Sequence, residues 1–124
     1  TFRQGGDPMA LVTLLAVGVG GAFGAVSRYA VSRAISRSAL GVFTVNVAGS
    51  FALGVVLGLG LNGPARLALG VGFCGAFTTF SSFAVETVGL VEDGQLAAVA
   101  LNAGGTLLFA LSAVIAGQTV AAIV

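Results

Sequence analysis

Residues 70–83 read GVGFCGAFTTFSSF and lie within an apolar segment long enough to cross a lipid bilayer. Each glycine costs about 1 kcal/mol relative to alanine in a helix interior. The β-branched pair Thr78-Thr79 is stiff and offers hydroxyls that compete for backbone hydrogen bonds. We therefore predict that a membrane helix is broken between Gly75 and Thr79. In hydrocarbon, a break is tolerated where it is buried in protein or lines a cavity holding water or ions. The stretch is thus a candidate ion site, with a glycine-rich packing helix as the alternative.

The composition indicates an integral membrane protein. Of 124 residues, 57% are hydrophobic and 7% are charged, and the mean hydropathy is +1.11. A soluble domain of this size needs more charged surface. The net charge is +1, which argues against a polybasic surface for nucleic acid. The sequence has no His and one Cys, which excludes disulfides and His/Cys metal sites within one chain. It also lacks a nucleophile–base pair, so we predict that the protein is not an enzyme.

Four apolar segments follow a polar start. We predict a polar leader over residues 1–8, with Met9 as a candidate native start, and a single four-helix transmembrane domain over residues 9–124. The predicted spans cover residues 10–32, 40–61, 67–91 and 95–120. Turns are predicted at Asn62-Gly63-Pro64 and Glu92-Asp93-Gly94.

Arginines near the helix ends give little orientation bias. Four spans place Arg3 and Arg66 on one side of the membrane, and Arg33 and Arg37 on the other, joined by Arg28 if it reaches the interface. The near balance favours dual topology and an antiparallel homodimer; the alternative is a weak preference for one orientation. Four helices enclose little space, which also favours an oligomer.

Small residues suggest where helices meet. The patterns Gly20-x-x-x-Gly24 and Gly54-x-x-x-Gly58 are candidate contacts at the oligomer interface, although such patterns are common in glycine-rich spans. The lone Cys74 is interpreted as a small packing residue.

Polar side chains interrupt two of the spans. Asn46 lies inside the second span, where its amide can bond a neighbouring helix or donate to a desolvated anion. Asn102 and Thr106 are four residues apart in the fourth span, so they share one helix face. That face either forms hydrogen bonds to another helix or is one wall of a hydrophilic path.

Two aromatic rings follow the predicted break. Phe80 and Phe83 share a side of the restarting helix, and core packing is the ordinary reason for such a pair. The alternative uses the positive ring edges, which can face an anion. Thr79, Ser81 and Ser82 bring hydroxyl donors beside the rings, and weak donors suit an ion that must leave again.

The break also frees backbone oxygens. Carbonyls between Gly75 and Thr78 are hard ligands suited to Na⁺, and a two-fold axis through the break would double their number. Glu86 lies one turn past Phe83 and either sits inside the span or near the interface, capping or pairing with Arg28. Arg28 either snorkels, pairs with that carboxylate, or forms an electropositive vestibule. Structural pairing or a vestibule is favoured for both.

Three motifs resemble the Fluc (CrcB) family of small fluoride channels, over residues 20–112. They are Gly20-Gly21-x-x-Gly24-Ala25-x-x-Arg28-Tyr29, Thr44-Val45-Asn46-Val47-Ala48-Gly49-Ser50, and Gly72-Phe73-x-Gly75-x-x-Thr78-Thr79-Phe80-Ser81-Ser82-Phe83-x-x-Glu86. The resemblance implies an all-α membrane protein with four transmembrane helices per chain, the third broken at its centre. It also implies an antiparallel dual-topology homodimer with two pores.

The resemblance further implies roles for single residues. Phe80 and Phe83 would be the pore phenylalanines, Asn46 the pore asparagine, and Ser81 the hydroxyl beside the rings. Carbonyls of Gly75 and Thr78 from both chains would hold a central, structural Na⁺.

Asn102 and Thr106 would begin the polar track of the fourth helix. Here the sequence departs from the pattern, because the later track positions are Ala110 and Val114. Both phenylalanines, the asparagine and the threonine pair are present, which favours a homodimer over a heterodimer with a degenerate partner.

The implied function is passive, selective export of fluoride through the plasma membrane of a prokaryote, the inner membrane in a Gram-negative cell. A proton-coupled drug exporter would need a carboxylate in the first span, and residues 10–26 contain none. A membrane scaffold would explain the glycines but not the cluster after the break.

Overall fold

The computed structural model describes residues 7–35 and 38–124, whose regular structure is entirely helical. Most of the predicted leader, with Arg3, lies outside the described residues, as do Ser36 and Arg37 of the predicted polar connection. The elements are α1 (Pro8–Ala34), α2 (Ser38–Gly58), α3 (Gly63–Leu67), a π-helical segment (Ala68–Cys74), α4 (Gly75–Phe77), α5 (Phe80–Glu92) and α6 (Leu96–Ile123).

Within residues 7–35 and 38–124, four stretches are long and apolar enough to cross a membrane, which confirms the predicted number of spans. They are Pro8–Ala34, Ala39–Gly58, Gly63–Glu92 and Leu96–Ile123. The third stretch contains α3, the π-helical segment, α4 and α5. The chain is a multi-pass membrane protein.

The connections lie close to their predicted positions. α2 ends at Gly58 rather than at residue 61, since Gly60 adopts a φ of +70° that only glycine accepts readily. Pro64 stands in the first turn of α3, where its missing N–H costs nothing, so the third span begins earlier than predicted. The turn after Glu92 is confirmed, with Gly94 at a φ of +71°.

The third span is broken, as predicted, but over fewer residues. Gly75–Phe77 is helical, and the backbone turns extended at Thr78 (φ −82°, ψ 159°) and Thr79 (φ −148°, ψ 112°) before α5 begins. The glycine therefore does not break the helix; the two β-branched residues occupy the break. The π-helical turn that precedes it was not predicted.

Glycines let helices of the same chain touch. A Cβ added at Gly24 of α1 would collide with the carbonyl of Phe73, and one at Gly54 of α2 would collide with the carbonyl of Val114 on α6. The expectation that Gly20-x-x-x-Gly24 and Gly54-x-x-x-Gly58 mark an interface between chains was wrong for these contacts, because they pack helices within one chain. Cys74 is buried, as its packing interpretation requires.

Candidate functional site

Asn46 of α2 clamps the break. Its Nδ2 donates to the Thr79 carbonyl over 3.1 Å, and the Thr79 N–H donates to its Oδ1 over 2.7 Å. A buried backbone N–H or C=O without a partner is costly, and Thr79 is only 7% exposed. The carboxamide thus replaces the helical partners that the extended backbone has lost. One N–H of Asn46 remains beyond this pair of bonds.

Thr79 also starts α5. Its hydroxyl accepts a hydrogen bond from the Ser82 N–H over 3.1 Å and lies 3.4 Å from the Ser81 hydroxyl. Threonine is a favoured N-cap because its oxygen satisfies an amide that the first turn leaves open. Thr79, the residue that Asn46 holds, is therefore also the residue at which the helix carrying Phe80 and Phe83 begins.

Carbonyls at the break lose their helical partners, and those of Gly75 and Thr78 are among them. In a continuous helix the Gly75 carbonyl would accept from the Thr79 N–H, which here bonds Asn46, and the Thr78 carbonyl would accept from the Ser82 N–H, which here bonds Thr79. Arg28 Nη1 reaches the Thr78 carbonyl at 3.5 Å, the limit of a hydrogen bond, and leaves it a second lone pair. Carbonyl oxygens freed in this way are suitable ligands for a hard cation.

A cleft of about 610 Å³, which we term the phenylalanine cleft, runs past the break. Its walls are formed by α2, the broken span and α6. The polar and aromatic residues that line it are Asn46, Ser50, Thr78, Thr79, Phe80, Phe83 and Thr106. The Phe80 and Phe83 rings lie 6.0 Å apart at an angle of 41°, and Phe80 is 80% exposed. The cleft therefore brings together most of the predicted anion-path residues.

A second, more polar cleft shares no lining residue with the phenylalanine cleft. This serine cleft, of about 450 Å³, is lined by Ser32, Ser81, Ser82 and Glu86 among others. A smaller cleft of about 280 Å³ shares Ser32 and Ser82 with it and adds Arg28 and Thr79. Thr79 lines both this smaller cleft and the phenylalanine cleft. Ser81, Glu86 and Arg28 thus line the polar clefts and not the phenylalanine cleft.

Thr106 lacks the backbone hydrogen bond that five other hydroxyls make. The hydroxyls of five residues donate to the carbonyl four residues earlier, namely Thr44, Ser50, Thr78, Thr87 and Thr119. Thr106 is 8% exposed, and its hydroxyl has no hydrogen-bond partner among the described residues. Thr106 lines the phenylalanine cleft, and a buried hydroxyl without a partner at such a site is a candidate ligand for an ion or water.

Asn102 does not line the phenylalanine cleft, although it shares a helix face with Thr106. Its Nδ2 donates to the Thr87 hydroxyl over 3.1 Å, and that hydroxyl donates to the Phe83 carbonyl over 2.8 Å. Thr87 was not predicted as a functional residue. Its spacing of four from Phe83 places it on the same face of α5, which is the signal that could have identified it.

Known proteins resemble the chain over the residues that form this site. The family model described as "CrcB-like protein, Camphor Resistance (CrcB)" matches residues 15–118. The chain belongs to the CrcB-like family. It is 60% identical over 109 residues to fluoride-specific ion channel FluC 2 of Natronomonas pharaonis, covering 88% of this chain and 94% of that protein.

Other members of the CrcB-like family are also similar over most of their length. FluC 2 of Haloarcula marismortui is 53% identical over 105 residues, covering 83% of this chain and 88% of that protein. FluC of Nitratidesulfovibrio vulgaris is 43% identical over 109 residues, covering 80% and 88%. Both are named fluoride-specific ion channels. The predicted family is confirmed, and it is a family of channels rather than of enzymes.

Proposed function

We propose that the chain is a fluoride channel and that the phenylalanine cleft is one wall of its anion path. The observation that carries this proposal is the unpartnered Thr106 hydroxyl in the same cleft as the Phe80 and Phe83 rings. The relatives named fluoride-specific ion channels supply the identity of the ion.

The cleft has the chemistry that a small anion needs. Fluoride is strongly hydrated, so each water it sheds must be replaced by a donor, but a donor that binds too strongly would trap it. The Thr106 hydroxyl, the remaining N–H of Asn46 and the positive edges of Phe80 and Phe83 are weak, uncharged partners. Ser81 and Thr79 add hydroxyls near the start of α5. Chloride is larger and gains less from so narrow a path.

The polar clefts form the approach to this path. Arg28 gives them positive charge, which concentrates anions near Thr79. Glu86 lines the serine cleft beside Ser81 and Ser82. We assign Arg28 and Glu86 to the vestibule, where they set the local field and the packing of the entrance.

Transport is passive, and its direction follows from the membrane potential. Fluoride enters a cell as its uncharged acid and ionises inside, where the anion is trapped. An inside-negative potential then drives the anion outward by about 2.3 kcal/mol per 100 mV. A channel in the plasma membrane of a prokaryote would therefore lower internal fluoride without other energy input.

The channel unit is an antiparallel homodimer with two pores. In support of a partner, Phe80 is 80% exposed, and a Cβ added at Gly75 or Gly104 would meet no atom of the described chain within 4 Å. Glycines in helix interiors are costly unless another helix approaches closely. A second copy would supply that helix and close the phenylalanine cleft.

A structural Na⁺ fits the break. The Gly75 and Thr78 carbonyls are relieved of their helical partners, and Na⁺ accepts neutral oxygen ligands of this kind. These two oxygens from each chain would give four about a two-fold axis. The ion would hold the two breaks together and take no part in moving fluoride.

Fluoride efflux from liposomes tests the function. Liposomes that contain the purified protein should release fluoride, measured with a fluoride electrode, and should retain chloride. Phe80→Ile and Phe83→Ile should abolish or cripple the release, while Phe23→Ile, on an exposed ring of α1, should leave it unchanged. Folded wild-type protein that releases no fluoride would overturn the proposal.

A further inference from the structure

We propose that Asn102 is a positioning residue, which acts through the Thr87 hydroxyl to fix α5 and its two phenylalanine rings against α6. This inference rests on the proposed channel function and gives a role to the one predicted track residue that does not line the phenylalanine cleft. It also assigns a role to Thr87.

The hydrogen bonds run in one direction. The Thr87 hydroxyl has one proton, and it donates that proton to the Phe83 carbonyl over 2.8 Å. The oxygen is then free to accept, and Asn102 Nδ2 donates to it over 3.1 Å. A side chain of α6 is thereby linked to the backbone of the turn that carries Phe83. We term these three groups the Asn102–Thr87 relay.

Helix α5 needs such a link because its own packing is weak. None of its residues, all of which the structure describes, is buried. In a bilayer, contact between apolar side chains gains little over contact with lipid, so hydrogen bonds and close packing decide where a helix lies. Within one chain, the position of α5 therefore depends on a few polar contacts.

Two fixed points along α5 hold its orientation, whereas a single one would let the helix pivot. The first is the clamp of Asn46 on Thr79 at the start of α5. The second is the relay at Thr87, about 12 Å further along the helix axis at 1.5 Å per residue. Phe80 and Phe83 lie between these anchors. Each anchor involves an asparagine on a neighbouring helix, Asn46 on α2 and Asn102 on α6. The positions of the two rings are therefore fixed relative to both helices.

The relay also fixes the position of Thr106 relative to the rings. Asn102 lies one turn before Thr106, which lines the phenylalanine cleft and has a buried, unpartnered hydroxyl. A link at Asn102 therefore sets the distance between that hydroxyl and the rings on α5. Without it, α5 is free to tilt about Thr79, and the spacing of donors and ring edges along the path is lost.

A double-mutant cycle in the full chain tests the relay. Thr87→Val keeps the shape and removes the hydroxyl, and Asn102→Leu removes the donor. Each should lower fluoride efflux per folded channel by the same factor, on the order of three- to tenfold, the range set by interhelical hydrogen bonds in membranes. The double variant should lose no more than either single variant. Thr87→Ser, which keeps the hydroxyl, should restore wild-type efflux.

The matched control is Thr119→Val, since the exposed Thr119 hydroxyl also donates four residues back, to Ile115, but links no second helix. Its efflux should equal that of the wild type. Multiplied losses in the double variant would overturn the relay, because Asn102 would then act on the anion independently. So would loss of thermal stability with unchanged efflux per folded channel, which is the mark of a merely structural bond.

Failure of the channel function itself is recognised separately, as a wild-type protein that carries no fluoride. The thermal unfolding midpoints of the wild type, the two single variants and the double variant then decide whether the two side chains are linked. Midpoint shifts that do not add would show that the two side chains are linked, and shifts that add would overturn the relay.

Discussion

The carboxamide of Asn46 holds the backbone of Thr79 at both its N–H and its carbonyl, through bonds of 2.7 and 3.1 Å. This pairing is what allows the third span to be interrupted in hydrocarbon. It serves two ends at once, because it satisfies the broken backbone and releases the Gly75 carbonyl from its usual partner. The anion path and the cation site that we propose share this one contact.

Replacing Asn46 should therefore lower stability as well as transport. Asn46→Leu leaves the N–H and carbonyl of Thr79 buried and without their partners. We expect the free energy of unfolding to fall by about 1–3 kcal/mol, measured by thermal unfolding of the purified protein in detergent. Thr44→Val, in the same helix, removes a hydroxyl that only bonds Leu40 one turn back, and it should change stability little. Equal stability of Asn46→Leu and the wild type would show that the clamp is not needed.

Two glycines of α1 should respond to alanine with opposite signs. A Cβ at Gly24 would collide with the Phe73 backbone, which cannot move aside as a flexible side chain would. Gly24→Ala should destabilise the protein by about 1–3 kcal/mol. A Cβ at Gly18 would meet nothing within 4 Å among the described residues, so Gly18→Ala should gain up to about 1 kcal/mol of helix propensity. Thermal unfolding of both variants measures the difference, and shifts of the same sign would contradict the packing described here.

Hydropathy was enough to predict four spans, because the length of an apolar run reports directly on the thickness of a bilayer. The break was also predictable, since Thr78 and Thr79 are unfavourable in a helix interior. Its extent was not. Whether Gly75 stays helical depends on the backbone around it, and glycine accepts either conformation. The sequence indicates where a helix is weak, and tertiary contacts decide where it ends.

Polar residues of the site could be predicted from the sequence more easily than their hydrogen-bond partners. Asn46 and Thr79 are 33 positions apart, and nothing in their local sequence pairs them. Asn102 and Thr106 looked equivalent because they share a helix face, yet one bonds Thr87 and the other has no partner among the described residues. Likewise, small-xxx-small patterns mark close helix contacts without telling whether the second helix belongs to the same chain.

Removing the Thr106 hydroxyl should preserve or raise stability while it lowers fluoride efflux. Thr106→Val removes a buried hydroxyl without a partner, so thermal unfolding should be unchanged or shifted upward. Fluoride efflux should fall on the order of tenfold, the equivalent of one hydrogen bond to a charged group, and Thr106→Ser should retain most of it. Thr119→Val is the control on the same helix and should alter neither quantity. A Thr106→Val channel with full efflux would remove this hydroxyl from the anion path.

The dimer should be stabilised by Na⁺, and Gly75 should be needed for that effect. A Cβ at Gly75 has no atom within 4 Å in the described part of its own chain, so Gly75→Ala should leave the fold of the protomer intact. In the dimer the methyl group would stand between the two breaks and disturb the carbonyls that we assign to Na⁺. Dimer dissociation in detergent can be followed by size-exclusion chromatography in sodium chloride and in N-methylglucamine chloride. The wild type should dissociate at a protein concentration at least about tenfold lower in Na⁺, a difference of about 1.4 kcal/mol. Gly75→Ala should lose this dependence, and Gly18→Ala should keep it. A wild-type dimer that is equally stable in both salts would contradict the Na⁺ site and leave the anion path unaffected.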